Sequence, residues 1–313
     1  MSTIIVFPGQ GSQRNGMASD FYETYREARA VFDEASEALN LDMAKLCFND
    51  DERLGLTPFT QPAILTTEVA MYRTLCSQYG LKGDHFAGHS LGEYTALVAA
   101  GVIPLANAVR VVRERGNRMQ EAVPPGVGAM AAIIQPDLPM DLLSRSLNGL
   151  TADIANHNAP NQVVISGGQK DVQTAIERYQ TAEIGLKARV RMLAVSAPFH
   201  SRLMKPIEPG FQSLLFDAGQ QWDLSHSSKV ASNTTGNMHE PDSVIERLTR
   251  QISGTVHWVD NMRTLCALRA DRIIEIGPGR PLRGFFRTMG DALGNTQLDA
   301  VTNLTSARQA LGA

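Results

Sequence analysis

Ser90 sits at the centre of Gly88-His89-Ser90-Leu91-Gly92, a G-x-S-x-G pentapeptide that follows the small apolar pair Phe86-Ala87 and precedes a helix-capable run from Glu93 to Ala100. Strand, sharp turn, helix is the order of a nucleophile elbow, which holds the serine oxygen clear of its own backbone. Flanking glycines let the chain reverse that tightly. The serine also falls at a helix N-terminus, where unpaired backbone N–H groups meet a developing negative charge. Ser90 is the candidate covalent catalyst. Such a serine needs a base to take its proton, and seven histidines compete: His85, His89, His157, His200, His226, His239 and His257. His200 stands out because it ends Ala197-Pro198-Phe199-His200, where the chain leaves a small inserted unit. A histidine there would line a cleft between two bodies, where ligand sites tend to lie. His89 adjoins the serine, but neighbours on a turn point apart. No orienting acid can be singled out.

Arg115 lies on the helix that opens at Pro104, a stretch it shares with Arg110, Arg113 and Arg118, and periodicity does not choose among them. A guanidinium facing the site would clamp a carboxylate with two parallel hydrogen bonds. The loop Gly9-Gln10-Gly11 lacks both G-x-G-x-x-G and the Walker lysine, so it reads as a donor of backbone N–H groups to an oxyanion rather than as a phosphate cradle. Gly277-Pro278-Gly279 reads as a tight structural turn.

The elements that must position these groups alternate. Ile4 to Phe7 reads as a buried strand, Pro62 to Tyr79 as a helix with Pro62 in its first turn, and Pro104 opens a second helix. Lys229 to Ser232 and Arg272 to Ile276 read as further strands. Apolar strands alternating with helices predict an α/β fold with a mostly parallel sheet covered on both faces. The middle of the chain has another rhythm: strand 129–134, helix 140–147, strand 152–155, strand 162–166, helix 171–180, strand 188–195. That β-α-β-β-α-β order is ferredoxin-like. The expected division is a large domain of residues 1–125 and 196–313, with a small subdomain of residues 126–195 inserted in it.

Composition narrows the classes. The 313 residues carry a net charge of −3, so nothing global favours nucleic acid or an anionic membrane. Three widely spaced cysteines, Cys47, Cys76 and Cys266, make neither a disulfide framework nor a cysteine zinc site and suit a reducing cytoplasm. The N-terminus has no basic flank and too short an apolar run for a signal peptide, and no stretch approaches a membrane span.

Several motifs occur in order: Phe7-Pro8-Gly9-Gln10-Gly11-Ser12-Gln13, Gly88-His89-Ser90-Leu91-Gly92-Glu93-Tyr94, Arg115-Gly116 with Met119-Gln120, Gly128-Ala129-Met130-Ala131-Ala132, Asn158-Ala159-Pro160 with Gln162 to Gly167, Pro198-Phe199-His200-Ser201, and Glu275-Ile276-Gly277-Pro278-Gly279. Together they resemble the malonyl-CoA:acyl carrier protein transacylases and the acyltransferases that load polyketide synthases, over roughly Ile4 to Met289. The resemblance implies an α/β-hydrolase-like large domain and a ferredoxin-like small one. It implies that Ser90 is acylated, that His200 is its base, and that Arg115 holds the malonyl carboxylate. It implies an oxyanion hole from the backbone N–H groups of Gln10 and Leu91, and a backbone carbonyl of Gln251 that orients the histidine. Phe199 resembles the malonyl-selective pattern of the family, in which a bulky residue leaves little room for a branch at the α-carbon. Thr255 departs from the pattern, standing where the family often has proline before Val256-His257-Trp258. The partners implied are coenzyme A thioesters and an acidic acyl carrier protein bearing phosphopantetheine, met by a local basic patch. No metal or other cofactor is implied, and the chain is expected to act as a cytoplasmic monomer. Two other readings remain: a thioester hydrolase using the same serine and histidine, and a non-catalytic scaffold for carrier proteins. Arg115 speaks against hydrolysis of neutral acyl chains, because an unpaired buried cation is costly.

Overall fold

Thr3–Phe7 is apolar after its first residue and buried throughout, the signature of a strand covered on both faces of a parallel sheet. The structure, a computed structural model, describes residues 1–124, 126–182, 187–195 and 197–312. Its strands are β1 (Thr3–Phe7), β2 (His85–Gly88), β3 (Gly128–Ile134), β4 (Ala152–Ala159), β5 (Gln162–Gly168), β6 (Arg189–Met192), β7 (Arg272–Ile276) and β8 (Gln297–Val301). The α-helices are α1 (Ser19–Thr24), α2 (Arg26–Leu39), α3 (Met43–Phe48), α4 (Thr57–Tyr79), α5 (Leu91–Ala99), α6 (Leu105–Glu121), α7 (Met140–Ser146), α8 (Gln169–Thr181), α9 (Glu208–Gly219), α10 (Val244–Arg250), α11 (Trp258–Ala267), α12 (Pro281–Phe286) and α13 (Leu304–Leu311).

One sheet runs β2-β1-β7-β8 with every pairing parallel. Its side chains alternate between two helical layers. Ile5 and Phe7 pack into the core built with α2, α4 and α6, whereas Ile4 and Val6 face Trp258, Met262 and Phe286 of α11 and α12. The second sheet is antiparallel, in the order β4-β5-β3-β6, which is the strand order of a ferredoxin-like unit. Ala131, Ile133, Val163 and Ile165 face α7 and α8, while Met130, Ala132 and Val164 on the other face join the core of the larger body. The fold is thus α/β, with one parallel and one antiparallel sheet. The expected junctions of the small unit fall at Pro125 and Ser196, outside the described residues.

Several boundaries differ from expectation. The helix expected from Pro62 begins at Thr57, so Pro58 takes the first turn and Pro62 lies inside. A proline inside a helix leaves the carbonyl four residues back without its N–H. That carbonyl is Pro58's, and the guanidinium of Arg113 donates to it at 3.1 Å. Lys229 to Ser232 forms no full strand: Val230 makes an isolated parallel bridge with Phe86, and Ala231 N–H donates to the Phe86 carbonyl at 3.0 Å. β4 runs on past the expected Ala155 to Ala159, and register irregularities at Ile154/Asn156 and His157/Ala159 interrupt the alternation that marks a longer strand in sequence. β6 stops at Met192, freeing Leu193 and Val195 to turn toward the cleft. The C-terminal tail, which carries no motif, supplies edge strand β8 and helix α13, the latter opened by a capping box of Asn303 and Ser306.

Candidate active site

The turn after β2 places Ser90 first among the site residues. Its φ of 54° is left-handed, a region costly for a side chain larger than glycine's. The turn closes only because Gly88 and Gly92 lack side chains: a Cβ on Gly88 would overlap the Gly92 carbonyl, and one on Gly92 would overlap the Phe7 carbonyl. Asn233 braces the strained turn from below. Its Oδ1 accepts the Ser90 N–H at 2.6 Å and its Nδ2 donates to the Gly88 carbonyl at 2.8 Å.

Ser90 Oγ donates to His200 Nε2 at 2.7 Å, and His200 Nδ1 donates to the Gln251 carbonyl at 2.7 Å. A carbonyl can only accept, so the Nδ1 side carries the proton and the Nε2 lone pair faces the serine. Burial, reinforced by the nearby Arg115 cation, lowers the pKa of His200 to about 3. The imidazole is neutral at ordinary pH and free to accept a proton. His89 turns away, bonding Asn158 Oδ1 at 2.7 Å, as neighbours on a turn must.

Arg115 is the cation that reaches this point. Its Nη1 donates to Gln61 Oε1 at 2.9 Å, and its Nη2 to Gln251 Oε1 at 2.9 Å and Ser90 Oγ at 3.1 Å. The guanidinium lies 5.5 Å from the Tyr94 ring centre and is 1 % exposed, and desolvation lowers its pKa. No carboxylate pairs with it among the described residues, and its Nε has no partner there. The other three arginines are engaged elsewhere: Arg110 on the Ala38 carbonyl, Arg113 on Pro58 and the Phe59 ring, Arg118 on Glu114. The tertiary fold makes the choice that periodicity left open.

A cleft of about 570 Å³, its open mouth included, lies over Ser90 between the two sheets. Gln10, Leu91, Arg115, Phe199 and His200 line one side, and Met130 of β3, Asn156 of β4, Leu193 and Val195 the other. Neither the Gln10 nor the Leu91 N–H has an acceptor among the described residues, which leaves both donors available to an oxyanion. Thr255, in the proline position, donates through Oγ1 to the Ile154 carbonyl at 2.6 Å, and Val256 N–H donates to the Ala155 carbonyl at 2.8 Å. The segment after Gln251 is thereby tied to β4. Among the described residues no group of three metal-ligating side chains is found, and no helix is long and apolar enough to cross a membrane.

Asn233, Glu93, His239 and Gln61 were not singled out from sequence as parts of the site. Glu93 stands inside the motif Gly88 to Tyr94, and Asn233 also left a sign: it is polar and sits just past the apolar Val230-Ala231, at the carboxyl end of a parallel pairing where α/β sites form.

Residues 4–282 match the family described as "Acyl transferase domain". The chain is 41 % identical over 295 residues to the malonyl CoA-acyl carrier protein transacylase of Bacillus subtilis, covering 92 % of this chain and 90 % of that one. Among solved structures it resembles the malonyl CoA-acyl carrier protein transacylase from Clostridium perfringens, with TM-score 0.90, 34 % identity, and 100 % and 96 % of the two chains covered. It also resembles a malonyl-transacylase solved in complex with its type II PKS acyl-carrier protein, with TM-score 0.90, 34 % identity, and 100 % and 99 % coverage.

Proposed function

Because the chain belongs to the acyl transferase domain family, we propose that it moves a malonyl group from malonyl-CoA to the phosphopantetheine thiol of an acyl carrier protein through an ester on Ser90. One observation carries the reading. Arg115 is a buried guanidinium in no direct ion pair among the described residues, hydrogen-bonded to the candidate nucleophile itself. A cation so placed is costly unless the substrate supplies the anion.

In the first half-reaction the malonyl carboxylate pairs with Arg115. Ser90 Oγ attacks the thioester carbon as His200 Nε2 takes its proton. The carbonyl oxygen, now an oxyanion, receives the N–H groups of Gln10 and Leu91; one such donor is typically worth ~3 kcal/mol. The C–S bond breaks, and His200 returns the proton to the departing sulfur of coenzyme A. In the second half the carrier thiol gives its proton to His200 and attacks the ester carbon, and Ser90 leaves with that proton. The Gln251 carbonyl holds the imidazole in the tautomer both halves need.

Phe199 lines the same cleft as Ser90 and His200, and in this reading its bulk is what a methyl branch at the α-carbon would meet. Three free cysteines among the described residues are in keeping with a reducing compartment such as the cytoplasm. The same reading treats residues 126–195 as a small subdomain inserted in a large one.

Competition between equal amounts of malonyl-, methylmalonyl- and acetyl-CoA tests the assignment. The wild type is expected to load malonyl first, with methylmalonyl behind it by about 10–200-fold and acetyl last. Arg115→Ala should reverse the order of malonyl and acetyl. Equal loading of acetyl and malonyl by the wild type would refute the clamp, and a methylmalonyl preference would refute the role of Phe199.

A further inference from the structure

Glu93, three residues past the nucleophile, is fully buried, yet the steps above make no use of it. One carboxylate oxygen, Oε1, accepts from His239 Nε2 at 2.8 Å. The other, Oε2, accepts from Gln251 Nε2 at 2.6 Å and from the Asn233 N–H at 3.0 Å. Gln251 turns its remaining end, Oε1, to Arg115 at 2.9 Å. The amide therefore stands between a buried anion and a buried cation. Its orientation is forced, because a carboxylate only accepts and a guanidinium only donates. Its Nε2 also donates to the Ser90 carbonyl at 3.0 Å, which fixes the same amide against the nucleophile's turn.

This arrangement has a consequence for specificity. Were Glu93 to meet Arg115 directly, the cation would be satisfied inside the protein, and an incoming carboxylate would have to displace a buried anion. With Gln251 between them and His239, Asn233 and Gln251 occupying both Glu93 oxygens, Arg115 feels the Glu93 charge from beyond an amide and makes no direct ion pair with it.

We propose that Glu93 and the side chain of Gln251 are positioning residues that reserve Arg115 for the substrate carboxylate. Glu93 fixes the amide, and the amide holds the two charges apart. This rests on the malonyl-transfer reading, and it gives Gln251 two separable duties: its backbone carbonyl serves His200, and its side chain guards Arg115.

The test is the malonyl-to-acetyl loading ratio, read by competition on folded protein whose melting is recorded alongside. Gln251→Ala keeps the backbone carbonyl but opens the way for Glu93 to reach Arg115. Its ratio should fall about tenfold or more, the factor that ~1.4 kcal/mol of lost carboxylate preference gives. Adding Glu93→Gln removes the competing anion and should restore most of the ratio. Gln251→Glu keeps the side-chain length and brings an anion against Arg115 itself; its ratio should fall likewise, and Glu93→Gln should not restore it. A merely structural role would slow both acyl groups alike and leave the ratio unmoved. An unmoved ratio, or a fall in Gln251→Ala that Glu93→Gln fails to reverse, would overturn the roles of Glu93 and Gln251 alone. A wild type without malonyl preference would overturn the functional reading as well.

Discussion

His200 works without a carboxylate behind it. Its partner is the Gln251 carbonyl, a dipole rather than a charge, and its other close influence is the Arg115 cation. Burial and that cation both disfavour the imidazolium, bringing the pKa to about 3. The base is active when deprotonated, so a lowered pKa extends activity to lower pH. We expect kcat/KM for acylation, which reports the free enzyme, to show no inflection near the ordinary histidine value of about 6.5. For Arg115→Ala the inflection should move upward, since a repelling charge is gone. A wild-type profile that breaks near 6.5 would contradict the buried, neutral base. At this scale the sequence was legible where a motif marks a residue: Ser90 Oγ lies within hydrogen-bonding distance of both His200 and Arg115. The roles of Asn233 and Glu93 were not legible, although Glu93 stands in a motif, because those roles lie in contacts across 140 or more positions of chain, which no local spacing records.

The elbow is the element on which the rest depends. β2 delivers Gly88 to within contact of Gly92, and α5 starts directly after Ser90. Gly88→Ala would drive a methyl group into the Gly92 carbonyl, a clash with backbone that no rotamer relieves. We expect it to lower unfolding free energy by about 1–3 kcal/mol or more, seen as a lower denaturant midpoint, and to abolish acylation even in the folded fraction. Wild-type stability and turnover in that variant would mean that the turn has more room than the structure gives it. Strong periodic elements were readable in the sequence, including β1, β7 and the β-α-β-β-α-β run. The start of α4 was misplaced because Pro62 looks like a first-turn proline, whereas inside the helix the sequence-distant Arg113 donates to the Pro58 carbonyl that Pro62 leaves open. β8 was missed because an edge strand that mixes Gln297 and Asp299 with apolar residues carries little burial signal.

On the scale of the whole molecule, the site is assembled by the return of the chain. Ser90 and His200 lie 110 positions apart, and the strands of the antiparallel sheet fall between them. That sheet supplies Met130 and Asn156 to the far wall of the cleft, and Val256 pairs with β4 just after Gln251 has met His200. Length and rhythm announced two sheets; which side chains would face each other across the gap became visible only in the folded chain. The central claim is that a malonyl group passes through Ser90 on its way to a carrier thiol. Intact-mass spectrometry tests it most directly, on wild type and Ser90→Ala incubated with malonyl-CoA and then with a phosphopantetheinylated carrier protein. The account predicts that the wild type gains the mass of one malonyl group, then loses it as the carrier gains the same mass, while Ser90→Ala gains nothing. A malonyl adduct on Ser90→Ala, or discharge of the wild-type adduct as free malonate with the carrier unchanged, would contradict it.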